Sequence, residues 1–182
     1  IGEIMTIFVA ILLGHSSPLL PVQLLFINLV TDSFPAICLG LEPPEKDIMS
    51  RPPRGHREGL FAGGGLFQIL VEGMFIGSLA LTAYMIGGTT MCFAVLALSQ
   101  IVHSFNMRSH QSLFKIGILS NKKLLLSGIL CALLQVSVIA IPFLQDIFHT
   151  TALTLLDWLI VACFSLLPIP LKELEKSVAF RQ

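Results

Sequence analysis

The residues best suited to chemistry stand close together near the N-terminal end. Asn28, Thr31 and Asp32 occur within the string NLVTDSFPAICLG. At spacings of i, i+3 and i+4 they share one face of a helix. Their amide, hydroxyl and carboxylate oxygens make a donor set suited to a hard cation such as Ca²⁺. Pro35 follows three residues after Asp32. It has no amide hydrogen and clashes with the preceding turn, so it should free a backbone carbonyl near Thr31. Helices broken in this way recur where carbonyl oxygens are offered to a cation. The same residues could also form an interhelical polar clamp beside a proline kink.

The surroundings of Asp32 make its charge informative. It lies in the middle of Val22–Leu41, a stretch that is otherwise mostly apolar. An ionised Asp costs about 2.5–3.5 kcal/mol at the centre of a membrane helix, so such a residue points to function. The whole chain shares this character. Of its 182 residues, 54% are hydrophobic and 12% charged, about half the charged share of a typical soluble domain. A spanning helix needs about 20 mainly apolar residues. Ile1–Leu13 supplies part of one, and Val22–Leu41, Leu60–Ile86, Met91–Met107, Leu124–Phe143 and Leu155–Leu171 supply five that are nearly complete. The expected fold is all-α, a polytopic transmembrane helical bundle of one partial and five spanning helices. Gly87 and Gly88 separate the third and fourth segments by so little that a helical hairpin is expected. Pro142 and the polar run Gln145–Thr151 separate the last two.

The basic residues fix a topology. Lys46, Arg51, Arg54 and Arg57 fall in the connection 42–59, and Arg108, Lys115, Lys122 and Lys123 in 108–123. Lys172, Lys176 and Arg181 fall in the tail 172–182, which completes the 11 Lys and Arg of the chain. The alternate connections, His15–Pro21, Gly87–Thr90 and Gln145–Thr154, have none. The positive-inside rule therefore makes 42–59, 108–123 and the C-terminus cytoplasmic. A soluble bundle of apolar helices offers no reason for this alternation. The formal net charge is zero, which argues against a nucleic-acid partner and leaves the lipid bilayer as the surrounding medium.

Other polar residues carry weaker signals. Glu3 lies in the partial first helix. Gln100, His103 and Asn106, spaced by three on the fourth segment, form a stripe that should face the bundle interior. Glu72, a third of the way along the third segment, reads as a structural pairing residue. Asp157 follows Thr154 with capping-box spacing and reads as a helix cap. Gly63, Gly64 and Gly65 have no strand or GK[ST] context and read as a flexible helix start, not a phosphate loop. His15, His56, His110 and His149 lack zinc-site spacing. Cys38, Cys92, Cys131 and Cys163 are isolated in apolar stretches and read as small buried hydrophobes. The chain begins inside an apolar run without an initiator Met, so a fragment of a longer protein is expected.

The string PVQLLFINLVTDSFPAICLGLEPPEKDIMSRPPR resembles the sixth transmembrane helix and following loop of P-type ATPases, above all calcium pumps of the sarcoplasmic-reticulum and bacterial type. TMCFAVLALSQIVHSFNMRS is similar to the eighth helix of the bacterial members, and the short Gly87–Thr90 connection also looks bacterial. The likeness covers essentially the whole chain. Residues 1–13 would be part of the fifth helix, 22–41 the sixth, 60–86 the seventh, 91–107 the eighth, 124–143 the ninth and 155–171 the tenth. It implies a multi-pass protein of a bacterial cell membrane.

The resemblance also implies roles. Glu3 falls where the family's fifth helix has a ligating Glu, and Asn28, Thr31 and Asp32 match the sixth-helix ligands. Gln100 stands where two-site pumps carry a Glu in the eighth helix. Glu3 and Asp32 are then the two carboxylates of the set, enough for one divalent ion, and one Ca²⁺ per ATP is expected. The connection after the sixth helix would couple the membrane helices to a phosphorylation domain. DKTG and TGE motifs do not occur in the chain. ATP and Mg²⁺ would therefore be bound by upstream cytoplasmic domains of the same pump, which also supply its first to fourth helices, and the fragment alone should be inactive. The open alternatives are a P-type pump for Mn²⁺, Na⁺, K⁺ or H⁺, a channel or carrier without ATPase activity, and a purely structural bundle.

Overall fold

The computed structural model describes residues 1–42, 49, 59, 65–109 and 112–179. Lys46, Arg51, Arg54, Arg57, His56, His110, Arg181 and the Gly63–Gly64 pair lie outside the described residues, as do the start of the third segment and the expected coupling loop. Among the described residues the regular structure is entirely helical.

Helix α1 spans Gly2–Leu12. It ends because Gly14 takes a positive φ of 80°, which costs a glycine nothing, and lets His15 N–H reach Ala10 O while Gly14 N–H reaches Ile11 O. Pro21 then opens α2, Pro21–Phe26, at a first-turn position where its missing N–H is harmless. Ile27–Asp32 forms a wider π-helical turn, and α3, Ser33–Gly40, completes the segment. Together they make one apolar helix of 20 residues, Pro21–Gly40.

Helix α4, Gly65–Asn106, has 42 residues, about twice what a bilayer core needs. It is two limbs. Gly87 (φ −132°) and Gly88 (φ 71°, ψ −161°) leave helical geometry, and the second conformation is open only to glycine at low cost. Glu72 and His103 stand equidistant from this break and touch, so the limbs run antiparallel as the expected hairpin. The second limb forms the centre of the bundle: every residue from Met91 to Ala97 is fully buried.

A short helix α5, Leu113–Ile116, and a 3₁₀ turn, Ile118–Ser120, lead to α6, Lys122–Ala140. The Asn121 side chain caps α6 by accepting from Leu124 N–H at 2.9 Å. The expected run to Phe143 stops at Ala140. Pro142 forces Ile141 into an extended conformation (φ −91°, ψ 119°) and opens a separate short helix, α7, Pro142–Phe148. Helix α8, Leu155–Leu166, starts at the expected capping box: Thr154 Oγ1 accepts from Asp157 N–H, and the Asp157 carboxylate accepts from Thr154 N–H. Helix α9, Pro168–Ala179, follows directly. The tail expected from Lys172 is thus helical for two more turns, and Lys172 and Lys176 are buried.

Among the described residues, four helices are long and apolar enough to cross a membrane: Pro21–Gly40, Gly65–Asn106, Lys122–Ala140 and Leu155–Lys176. With α4 counted as two limbs and α1 as the partial helix, these match the expected set. The connections gather at opposite ends. At one end Ser16 meets Tyr84 at 3.3 Å, Thr90 meets Thr151 at 3.2 Å, and buried Gln23 donates to Phe148 O at 3.0 Å. At the other, Arg108 meets Glu42, Leu113 N–H donates to Glu173, and Lys176 donates to Asn106 O. The described Lys and Arg residues all belong to segments of this second end. Large apolar side chains such as Phe67, Leu126 and Leu155 cover the outside of the bundle.

Candidate functional site: a cavity beside Asp32

Helix α1 is placed against the first limb of α4 by small residues. A side-chain carbon on Gly77 would come within 3.0 Å of Gly2 O, and one on Gly73 within 2.7 Å of the Ile1 side chain. Gly73 and Gly77 thus let two backbones approach in the small-xxx-small manner of membrane helices. Thr6 adds a hydrogen bond to Gly77 O at 3.3 Å and one to Gly2 O at 2.8 Å. This contact sets where Glu3 stands. Its Oε2 accepts from Asn28 Nδ2 at 2.9 Å, and Asn28 Nδ2 also donates to Leu24 O. The Asn28 Oδ1 is left to other partners.

The distortion of the Asp32 helix lies a turn earlier than Pro35 alone would put it. The π turn Ile27–Asp32 widens the backbone, and nearby side chains serve its carbonyls. Thr31 Oγ1 donates to Ile27 O at 2.8 Å, Ser33 Oγ to Asn28 O at 2.8 Å, and Cys131 Sγ to Val30 O at 3.4 Å. Thr31 is buried and Asp32 half-buried.

A cavity of about 340 Å³ opens beside this turn, with Thr31, Asp32 and Pro35 on one wall and Gln100, Glu72 and His103 on another. The Gln100 Oε1 is buried and accepts no hydrogen bond from the described residues. A buried oxygen without a donor is costly unless something else satisfies it, and a cation would. Glu3 and Asn28 pair beside the cavity without lining it, and the charges of Glu3 and Asp32 act on each other. Among the described residues no three His, Cys, Asp or Glu side chains converge as a metal site. Besides Glu72, the carboxylates of Glu3 and Asp32 and several neutral oxygens are what the region offers.

Glu72 and His103 reach the same cavity in a different condition. Glu72 Oε1 is paired with Lys172 Nζ and accepts from Gln68 at 3.2 Å, while Oε2 accepts from His103 Nε2 at 3.1 Å. Glu72 and Lys172 are 6% and 4% exposed, so this is a buried, neutralised cluster. It fits the expected pairing role and gives Glu72 no free charge for an ion. Asn106 donates to Pro168 O at 3.0 Å, again a tie between helices.

Three participants were not singled out from the sequence. Lys172 stands just past the last apolar run and reads there as tail. Gln23, at the start of α2, gave no signal beyond its type. The Gly73–Gly77 spacing was legible and would have located the α1 contact.

The profile of the family described as "Cation transporting ATPase, C-terminus" matches residues 16–178. The chain is 41% identical over 201 residues to a calcium-transporting ATPase 1 of Bacillus cereus, covering 96% of the chain and 22% of that relative. It is 38% identical to a calcium-transporting ATPase of Bacillus subtilis, covering 92% of the chain and 20% of that relative. It is 36% identical to a calcium-transporting ATPase 1 of Lactococcus lactis, covering 98% and 21%. The chain therefore spans about a fifth of the length of these relatives.

Proposed function

The chain belongs to the C-terminal family of cation-transporting ATPases, and from that premise we propose that it is the ion-binding, translocating part of a pump that uses ATP to export Ca²⁺ from the cytoplasm. The observation that carries this reading is Asp32, held on a π turn within a membrane-length helix and facing a cavity that Thr31 and Gln100 also line. A carboxylate there has no structural partner: among the described residues none donates a hydrogen bond to it. Its neighbours supply the oxygens that a hard cation takes.

The proposed ligands are Asp32, Thr31, Asn28 and Glu3, with Gln100 as a neutral oxygen across the cavity. Glu3 and Asp32 balance one divalent charge. Gln100 brings no charge, and Glu72 is committed to Lys172 and His103. One ion per ATP follows from this count. In the complete pump, ATP and Mg²⁺ would be bound by cytoplasmic domains outside this chain. Phosphorylation there would tilt the helices and turn the Asp32 site from the cytoplasm to the exterior. The basic end of the bundle, with the C-terminus, would face the cytoplasm.

The test is ATP hydrolysis and transport by the complete pump in vesicles. Ca²⁺ should activate both at lower concentration than Mn²⁺, Na⁺ or K⁺, with one Ca²⁺ moved per ATP. A ratio of two, or activation by another cation alone, would overturn the corresponding part. Flux without ATP would favour a channel or carrier.

A further inference from the structure

At the basic end of the bundle, away from the cavity, one carboxylate joins four segments. Glu42 follows the end of α3 by two residues. Arg108 follows the end of α4 by two, and its side chain is 2% exposed. Arg108 Nη2 donates to Glu42 Oε1 at 2.6 Å, and Nε donates to both Glu42 oxygens at 3.2 Å. Nη1 donates to Gly117 O at 3.1 Å, and Nη2 also to Ser120 Oγ at 2.6 Å. Asn121 donates to Glu42 Oε2 and reaches Cys38 O at 3.4 Å, while its own oxygen caps α6. The end of the Asp32 helix is thereby tied to the end of α4, to the 3₁₀ turn and to the start of α6.

We propose that Arg108 is a positioning residue for the ion site: through Glu42 it fixes the height and rotation of the Asp32 helix against α4 and α6. This rests on the Ca²⁺ reading of Asp32 given above. Glu42 stands two residues past the end of the Asp32 helix, and that end, Gly40, is eight residues from Asp32, about 12 Å along the axis. A rigid helix transmits a shift or turn at Glu42 to Asp32 and its cavity wall. The guanidinium is suited to the task because its planar fork engages Glu42 and the Gly117–Ser120 turn at once with three nitrogens, which a lysine cannot do. Burial raises the Glu42 carboxyl, but the hydrogen bonds from Arg108 and Asn121 and the Arg108 charge outweigh it and hold the group below its ordinary range, so the tie stays ionised at neutral pH. The same residue roots the connection that leads out of the Asp32 helix. Movement imposed on that connection is delivered to a helix that is already clamped, not to a loose end.

The experiment uses the complete pump with Arg108→Gln, Glu42→Gln and the double variant, with Arg108→Lys in reserve should Arg108→Gln fail to fold. Amide exchange of residues 33–40 is measured by mass spectrometry, together with half-activating Ca²⁺ and the KM for ATP. Each single variant should speed exchange in 33–40 and raise half-activating Ca²⁺ by about five- to tenfold with the KM for ATP unchanged. The double variant should be no worse than the worse single. Unchanged exchange in the variants overturns the clamp. Faster exchange with unchanged half-activating Ca²⁺ overturns the positioning role. If the unaltered pump does not respond to Ca²⁺ at all, the functional reading fails, and the exchange data still decide the clamp.

Discussion

Among the described residues, Asp32 differs from every other acidic side chain of the membrane segments in having no hydrogen bond or ion pair. Glu72 is held by a lysine, a histidine and a glutamine, and Asp157 closes a capping box. That contrast yields opposite predictions. Asp32→Asn should fold with unchanged thermal stability and lower the affinity for Ca²⁺ by about 100-fold, because it removes a charged ligand and no structural contact. Lys172→Met should destabilise the bundle by about 3–5 kcal/mol in a thermal assay, since it leaves a buried carboxylate without its main partner, and adding Glu72→Gln should recover much of the loss. Glu42 adds a pH dependence. Its carboxyl is lowered in the folded state, so its stabilisation is present above the ordinary glutamate range and is lost as pH falls through the lowered value. Thermal unfolding should therefore separate wild type from Glu42→Gln at neutral pH, with the gap closing on acidification. At this scale the sequence named the Asp32 set because a charge in an apolar run is conspicuous. It could not name Lys172 or Arg108, whose roles depend on partners 100 and 66 residues away.

Among elements, the contact between α1 and α4 carries the most consequence for the site, since it alone aims Glu3 at Asn28. Gly77→Val would force a branched side chain against Gly2 O and Met5. It should cost about 1–3 kcal/mol of stability by overpacking and also weaken Ca²⁺ binding, a pairing that a remote core substitution would not give. Helix existence was legible from apolar run length, and the hairpin from Gly87-Gly88. The ends were less so. Composition alone carries the apolar run through Pro142 to Phe143, but the ring of Pro142 ends the hydrogen-bonded helix at Ala140. Conversely, the polar residues after Leu171 remain helical because Lys172, Glu173 and Lys176 find partners on α4 and beside α5. The π turn had no signal in residue type, and its carbonyls are served by Thr31, Ser33 and Cys131.

For the molecule as a whole, the alternation of connections with and without Lys or Arg predicts which ends lie together, and the described residues gather accordingly. The side they face is testable. In sealed cells a cysteine introduced at Lys123 should react only with a permeant thiol reagent, while one at Ala152 should react with an impermeant reagent added outside; the reverse pattern would invert the topology. The division into one partial and five spanning helices was legible because each span is long. The cavity was not, because it is a property of four segments, α1, the Asp32 helix and the two limbs of α4, meeting around residues 31, 32 and 100. We propose that these segments hold one divalent cation at Asp32. Equilibrium binding of radioactive Ca²⁺ to the purified complete pump tests it most directly. One saturable ion per molecule is expected, lost in Asp32→Asn. Two ions per molecule, or one that survives Asp32→Asn, would contradict it.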